Sequence, residues 1–348
     1  MARVIAVVVP NWNGAARLPA CIRSLAAQRH PAGEIVVVDN GSTDASLAVL
    51  DELAAEIAPV ALAVVRNATN LGFAGGVNRG IAHALEQGAE AIALFNNDAV
   101  ADPGWLGALA AELADRPDVA MVTSRFLLGD GRTVDSTGDF YTSWGLPYAR
   151  DRDAPSEPVR ESGEVFGGTG GATLYRSSLF ADVGLFDERF FVLLEDVDLS
   201  FRARLAGHRA WYCADAVAFH EQGSTQRTVS GMAARQYLRN LPLLLVKDVP
   251  ARLLWRVVPR FALVYPLLIA NLFRRGEGPA ALRGALSSVA LVPGALRARR
   301  SIQGHRRLSG GDLDGLLWPG LPPNMQTPRA VQDRLRRLVG RAPHQEAA

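Results

Sequence analysis

Apolar and polar positions along the chain fall into blocks that set its elements. Residues 4–9 form a continuous, mostly β-branched run, which predicts a buried strand. Residues 18–27 carry the helical spacing Leu18, Cys21, Ile22 and Leu25, and residues 34–40, "EIVVVDN", read as a second strand. A helix is predicted over 45–57, with Leu47, Leu50, Leu53, Ala54 and Ile57 on its apolar face and Ser42-Thr43-Asp44 as its N-cap. A third strand at 61–67, a glycine-rich turn, a helix over 75–87 and a fourth strand at 91–95 follow. Strands without alternation, separated by helices, predict a parallel sheet covered on both faces. Such sheets hold ligands at the carboxyl ends of their strands. All four strands end in polar residues: Pro10-Asn11, Asp39-Asn40, Arg66-Asn67 and Asn96-Asn97-Asp98.

Beyond these, the pattern predicts a helix over 103–115, a strand over 119–128, loops and short strands over 129–164, a strand at 172–176, a helix near 177–183 and an acidic helix start at Glu195. No internal repeat is apparent. From residue 231 the character changes, as Arg235, Arg239, Lys247, Arg252, Arg256 and Arg260 interleave with "LPLLLV", "LLW" and "FALVYPLLIANLF". The uncharged run 261–273 is shorter than the roughly 20 residues a spanning helix needs, and Pro266 interrupts it. An amphipathic segment lying on a membrane surface is the expectation. A helical appendage or an oligomer interface is its alternative, which leaves a homo-oligomer open.

Composition sharpens this division. With 348 residues, 49% of them apolar, the chain can bury a full α/β core and carry a second region. The net charge of +2 hides an asymmetry, acidic before about residue 230 and basic after it, which suits two partners. The expected division is 1–230 as an α/β domain, 231–310 as a basic, membrane-associating helical region, and 311–348 as a largely mobile tail with a short helix at 330–339. Cys21 and Cys213 lie far apart in no metal-ligand spacing, which fits a reducing cytosol. The N-terminal apolar run reads as a strand rather than a signal peptide.

Three constellations carry candidate chemistry. Asp39, with Asn40 and Gly41, can cap the following turn, or its carboxylate can accept the N3–H of a uracil or thymine ring. "NATNLGFAGGVNRG" at 67–80 can bring backbone N–H groups and a helix N-terminus to a phosphate. It is neither a P-loop nor G-x-G-x-x-G after the first strand, which counts against nucleoside triphosphatases and dinucleotide dehydrogenases. In "EDVDLSFRAR", Glu195, Asp196 and Asp198 crowd a helix start, more acid than capping requires. Asp198 pairs with Arg202 at four residues' spacing, while a carboxylate facing a cleft beside another acid can serve as a general base. His220, closing an apolar run, is a structural or a ligand histidine.

In this order, "VVVPNWNG", "IVVVDNGSTDAS", "NLGFAGGVNRGI", "LFNNDAV", "GGTGGATLYRSSLFADVGLFDERFFVLLEDVDLSFRARLAGHRAWY" and "FHEQGS" resemble the family 2 glycosyltransferases of the GT-A fold, in their rhamnosyltransferase-like bacterial branch. The resemblance covers roughly residues 4–225. It implies that Asp39 holds the pyrimidine base with Pro10, Asn11, Asn13 and Asn40 around it. Arg66, Asn70, Gly75, Asn78 and Asn97 would lie along the nucleotide and its diphosphate. Asn96-Asn97-Asp98 takes the place of the family's D-x-D motif, so Asp98 and His220, with Asn96, would hold Mg²⁺ or Mn²⁺. Asp196 would be the general base of an inverting transfer, positioned by Glu195, and Asp198 would be structural.

The expected reaction is transfer of a sugar, foremost rhamnose from dTDP-rhamnose, to a hydroxyl of a cell-surface or lipid-linked glycan, with the 129–164 segment near that acceptor. A UDP-sugar-dependent galactofuranosyl or hexosyl transferase is the alternative. A nucleotidyl transferase would want a basic loop after the first strand, where only Arg17 stands; a non-catalytic glycan or membrane scaffold is the remaining rival. Arginines drawn to anionic headgroups predict a cytoplasmic protein held at the inner face of the plasma membrane. No nucleic-acid partner is expected.

Overall fold

The computed structural model describes residues 4–221, 231–323 and 325. The expected helix at 330–339, and "QGS" of the last motif, lie outside the described residues. Four strands, β1 (Ile5–Asn11), β2 (Glu34–Asp39), β3 (Leu62–Arg66) and β4 (Ala91–Phe95), alternate with α1 (Leu18–Ala26), α2 (Ser46–Glu56) and α3 (Gly72–Glu86). Short β5 (Ala99–Ala101) and α4 (Trp105–Asp115) precede the long β6 (Val119–Leu128). The loop-rich stretch holds β7 (Val134–Ser136), β8 (Asp139–Tyr141), β9 (Pro147–Ala149) and β10 (Gly163–Val165). Then come β11 (Ala172–Arg176), α5 (Ser177–Val183), α6 (Glu195–Leu205) and β12 (Arg209–His220).

The main sheet runs β10-β12-β6-β11-β4-β1-β2-β3, with β5 added to β12 and β7 to β6. β1 to β4 are mutually parallel, and β11 enters antiparallel between β4 and β6. Both faces are covered, which explains the missing alternation: Ile5, Val7 and Val9 pack on α1 and α4, while Ala6 and Val8 pack under α3. β4 and β12 come together through β5, whose Ala99 pairs with His220. This pairing brings the Asn96-Asn97-Asp98 turn beside a histidine more than a hundred residues away.

The helix predicted over 75–87 starts earlier, at Gly72, so the glycine-rich stretch is itself the first turns of α3. α2 lacks a side-chain hydrogen bond at its cap; Asp44 instead accepts from Ser46 N and from Ala15 N, tying the turn after β2 to the turn after β1.

After residue 231 the chain is helical: α7 (Met232–Asp248), α8 (Ala251–Arg274), α9 (Gly278–Ser288), α10 (Val292–Gly304) and α11 (Gly310–Leu316). α7 packs onto the preceding domain through a third apolar cluster, apart from the two on the faces of the sheet. Leu241 and Leu244 pack with Tyr141, Phe166, Phe190 and Phe201, and Val257 and Phe261 of α8 join them. Pro242 inside α7 lacks the N–H that would bond the Leu238 carbonyl, and the Tyr265 hydroxyl of α8 donates to that oxygen instead, at 2.7 Å. The break expected at Pro266 does not occur. α8 continues through Pro259 and Pro266 for 24 residues, so it and the stretch 278–304 are long and apolar enough to cross a membrane by length and composition. One side of α8, Leu253, Val257, Phe261 and Val264, is nevertheless buried against the protein.

Candidate active site

At the carboxyl edge of the sheet, Asn11, Asp39 and Arg66 stand in register on β1, β2 and β3. Asp39 is buried; it accepts from the Asn11 amide and from Ser42 N. Asn97 donates to Asn11 Oδ1 at 2.7 Å, so an amide relay runs from the β4 turn to Asp39. Gly14 makes this pairing possible, since a Cβ there would sit 2.2 Å from Asn11 Oδ1 and 2.3 Å from Asn97 Nδ2. A cavity of about 200 Å³ opens beside the relay, lined by Pro10, Asn11, Asn40, Asn70, Asn97 and Asp98 among others.

Of the other residues expected around the nucleotide, Asn40 and Asn70 line this cavity, while Asn13, Arg66, Gly75 and Asn78 do not. Asn40 reaches the cavity, but its amide is fully engaged: it donates to Asn70 Oδ1 and Gly72 O and accepts from Asn67 and from Leu71 N. Asn40 and Asn70 therefore shape the turn into α3. Asn78 bonds both backbone groups of Phe186 and donates to Glu188, away from the cavity. Gly75 is buried in α3 against Leu71, and Ala74 N donates to Phe191 O, so protein already caps this helix start. Asn13, at φ +51°, accepts from Thr43 N, and Arg66 is exposed at the end of β3.

Asp98 and His220 meet across the cleft, with Oδ1 and Nε2 3.1 Å apart and the Asn96 amide 3.4 Å from the same nitrogen. The imidazole stacks on Phe126, and its Nδ1 faces Asp135 at 2.7 Å, itself paired with Arg152. Burial disfavours the imidazolium, but hydrogen bonds to Asp135 and Asp98 outweigh it and raise the His220 pKa to about 9. Neighbouring ligands of an octahedral ion with bonds of about 2.1 Å lie about 3 Å apart, which the Asp98–His220 spacing fits. A carboxylate on the far ring nitrogen is the usual support of a metal-binding histidine. Among the described residues no group of three or more His, Cys, Asp or Glu side chains could hold a metal by itself. An ion here needs further donors from its ligand or from water.

His220 and Asn96 also border a larger cavity, of about 470 Å³, whose polar end carries Asp135, Asp139, Glu195 and Asp196. Asp196 Oδ2 accepts from Gly170 N at 2.9 Å and Oδ1 from Val197 N at 2.8 Å. Burial raises its pKa although these N–H groups oppose the rise. Among the described residues, Glu195 Oε2 and Asp139 Oδ2 are buried without a hydrogen-bond partner. Burial first, then the charge of Asp196, pushes both carboxyls well above the usual range. Asp198 faces away from the cavity, paired with Arg202 and Lys247, and the favourable charges hold its pKa low despite burial. The other end of the cavity is apolar, with Leu146, Leu268 and Pro322. Asp135, Asp139 and Arg152 were not singled out from sequence, because five aspartates lie between residues 129 and 155 with no periodicity to rank them.

Over 253 residues the chain is 28% identical to an N-acetylglucosaminyl-diphospho-decaprenol L-rhamnosyltransferase of Mycobacterium tuberculosis, covering 65% of this chain and 79% of that protein. The fold matches a Pyrobaculum calidifontis mannosyltransferase, PcManGT, solved with GDP-Man and Mn²⁺, at TM-score 0.54 and 19% identity over 88% of this chain and 85% of that one. It also matches GalNAc-T7, solved with UDP, GalNAc and Mn²⁺, at TM-score 0.55 and 15% identity; 69% of this chain covers 48%, about half, of that one. The architecture is the mixed α/β GT-A fold with a C-terminal helical region. Residues 6–184 match the model of glycosyl transferase family 2, and the chain belongs to that family, in a rhamnosyltransferase-like branch.

Proposed function

We propose that the protein is an inverting, divalent-metal-dependent transferase that moves rhamnose from dTDP-rhamnose to a hydroxyl of a lipid-linked, cell-surface glycan. The observation that carries the reading is a pair of adjoining cavities that share Asn96 and His220. Asn11, which hydrogen-bonds the buried Asp39 behind it, lines the small cavity with Asp98, and Asp196 lines the large one. The mycobacterial relative, a rhamnosyltransferase named for a diphospho-decaprenol-linked acceptor, supports the choice of sugar and acceptor class. Asp39 reads uracil and thymine alike, so a UDP-sugar donor is the second reading.

Asp196 takes the proton of the acceptor hydroxyl, and its raised pKa makes it a stronger base than an ordinary aspartate. The freed oxygen attacks the anomeric carbon from the face opposite the diphosphate, whose bond breaks, and the configuration inverts without a covalent sugar–enzyme intermediate. Glu195 and Asp139 orient the acceptor. Asp98 and His220, with Asn96 in reach, would hold Mg²⁺ or Mn²⁺, which supplies Lewis-acid neutralisation of the departing diphosphate.

The apolar end of the large cavity lies against α8 at Leu268, and the opposite side of α8 exposes Trp255, Leu263, Leu267 and Phe273. Lying flat on the cytoplasmic leaflet, α8 would bring a lipid-linked acceptor to that end. Thermal-shift screening with dTDP, UDP and GDP, with and without Mn²⁺, tests the donor reading. Stabilisation by Mn²⁺ with dTDP is the expected result; stabilisation by GDP alone, or by no nucleotide, overturns it.

A further inference from the structure

We propose that Asn240 of α7 is a positioning residue for the transfer reaction, holding the backbone that presents Glu195 and Asp196 to the large cavity. The inference rests on Asp196 acting as the base. Phe191, Leu193 and Leu194, at φ +62°, +71° and +72°, are non-glycine residues in the left-handed region, clustered in the four residues before Glu195. Such backbone costs energy and persists only where its surroundings over-determine it.

Asn240 supplies that restraint. Its side chain is fully buried, and Nδ2 donates to three carbonyls of this segment: Phe190 O at 2.9 Å, Val192 O at 3.0 Å and Leu193 O at 2.7 Å. With two hydrogens for three carbonyl oxygens, one N–H of the amide is shared between two of them, and since an amide oxygen could bond none of the three, the flip of the group is fixed. Its Oδ1 accepts from Arg239. Seven residues further along α7, Lys247 pairs with Asp187 and Asp198, which flank the segment on both sides. α7 thus grips the strained loop at its middle and at both ends. The loop borders both cavities, Phe191 and Val192 facing the small one and Val192, Leu193 and Leu194 the large one. Releasing it displaces Asp196 from the Gly170 N–H that orients its carboxylate.

Asn240→Ser, which keeps one donor, and Asn240→Leu, which keeps none, test this in the full-length protein. The readouts are turnover with dTDP-rhamnose and a synthetic N-acetylglucosaminyl-diphospho-lipid, its pH profile, and dTDP affinity with Mn²⁺ by calorimetry. We expect kcat to fall on the order of 100-fold in Asn240→Ser, as for a displacement of about 1 Å. We also expect the acid limb of the pH profile to shift, with dTDP Kd within threefold of wild type. A folded Asn240→Ser with kcat within threefold of wild type overturns the proposal. So does a loss of turnover matched by the loss of dTDP-binding sites, which marks a merely structural residue. If Asn240→Leu fails to fold, Asn240→Ser alone decides. A wild-type protein that transfers no sugar sinks the functional reading itself.

Discussion

Asp196 and His220 line the same large cavity in opposite electrostatic settings, and each gives its own prediction. If Asp196 is the proposed base it works as a carboxylate, so transfer is expected to fail as the pH falls through its raised pKa. At saturating metal, the acid limb of the kcat profile therefore lies above the ordinary aspartate value, and a profile flat down to that value would contradict the assignment. His220 must give up its proton to bind a cation, and Asp135 holds its far nitrogen. Asp135→Asn is expected to raise the Mn²⁺ concentration for half-maximal activity by about 10-fold or more, and His220→Ala by more still. An unchanged metal titration in both variants returns His220 to a structural role. The Asp98–His220 approach was legible only through resemblance, since nothing local in the sequence pairs residues this far apart. The glycine-rich stretch is the packed start of a helix, with Asn78 bonded to Phe186, a packing that no local pattern in the sequence signals.

Among the elements, β1 to β4 were the most legible, because burial on both faces writes an unbroken apolar run into each strand. α7 was the least. Its arginines and lysine suggested a membrane surface, but Lys247 is buried between Asp187 and Asp198, and Asn240 lies under the loop before Glu195. A cation buried between two acids cannot be told from an exposed one by composition. Lys247→Met takes one of the two cations, Lys247 and Arg202, from Asp198, and removing one member of such a buried network costs about 3–5 kcal/mol. Urea unfolding monitored by tryptophan fluorescence measures it; a cost below about 1 kcal/mol would show the pairing to be dispensable.

For the whole molecule, the shared core changes how membrane attachment is to be tested. Deleting everything after residue 231 removes Leu241, Leu244 and Lys247 from their contacts with Phe166, Phe201 and Asp198, so that truncation tests folding rather than lipid binding. Surface substitutions are the cleaner tool. Replacing Trp255, Leu263 and Leu267 together by Ser is expected to abolish flotation with anionic vesicles while leaving the unfolding midpoint within a few degrees of wild type. Undiminished flotation in that triple variant assigns these residues to another contact. The sequence argued against a spanning segment from Pro266, yet α8 keeps its helix through both prolines. Its burial along one side is what favours the flat orientation.

Direct displacement at the anomeric carbon with Asp196 as base leaves a stereochemical signature. It is read from the anomeric configuration, by NMR, of the product formed from dTDP-rhamnose and an N-acetylglucosaminyl-diphospho-lipid, run beside Asp196→Asn. An inverted linkage is expected from the wild type, and no product from Asp196→Asn although that variant binds dTDP with Mn²⁺ within a few-fold of wild type. A retained configuration, or wild-type-like turnover in Asp196→Asn, would contradict direct displacement with Asp196 as base.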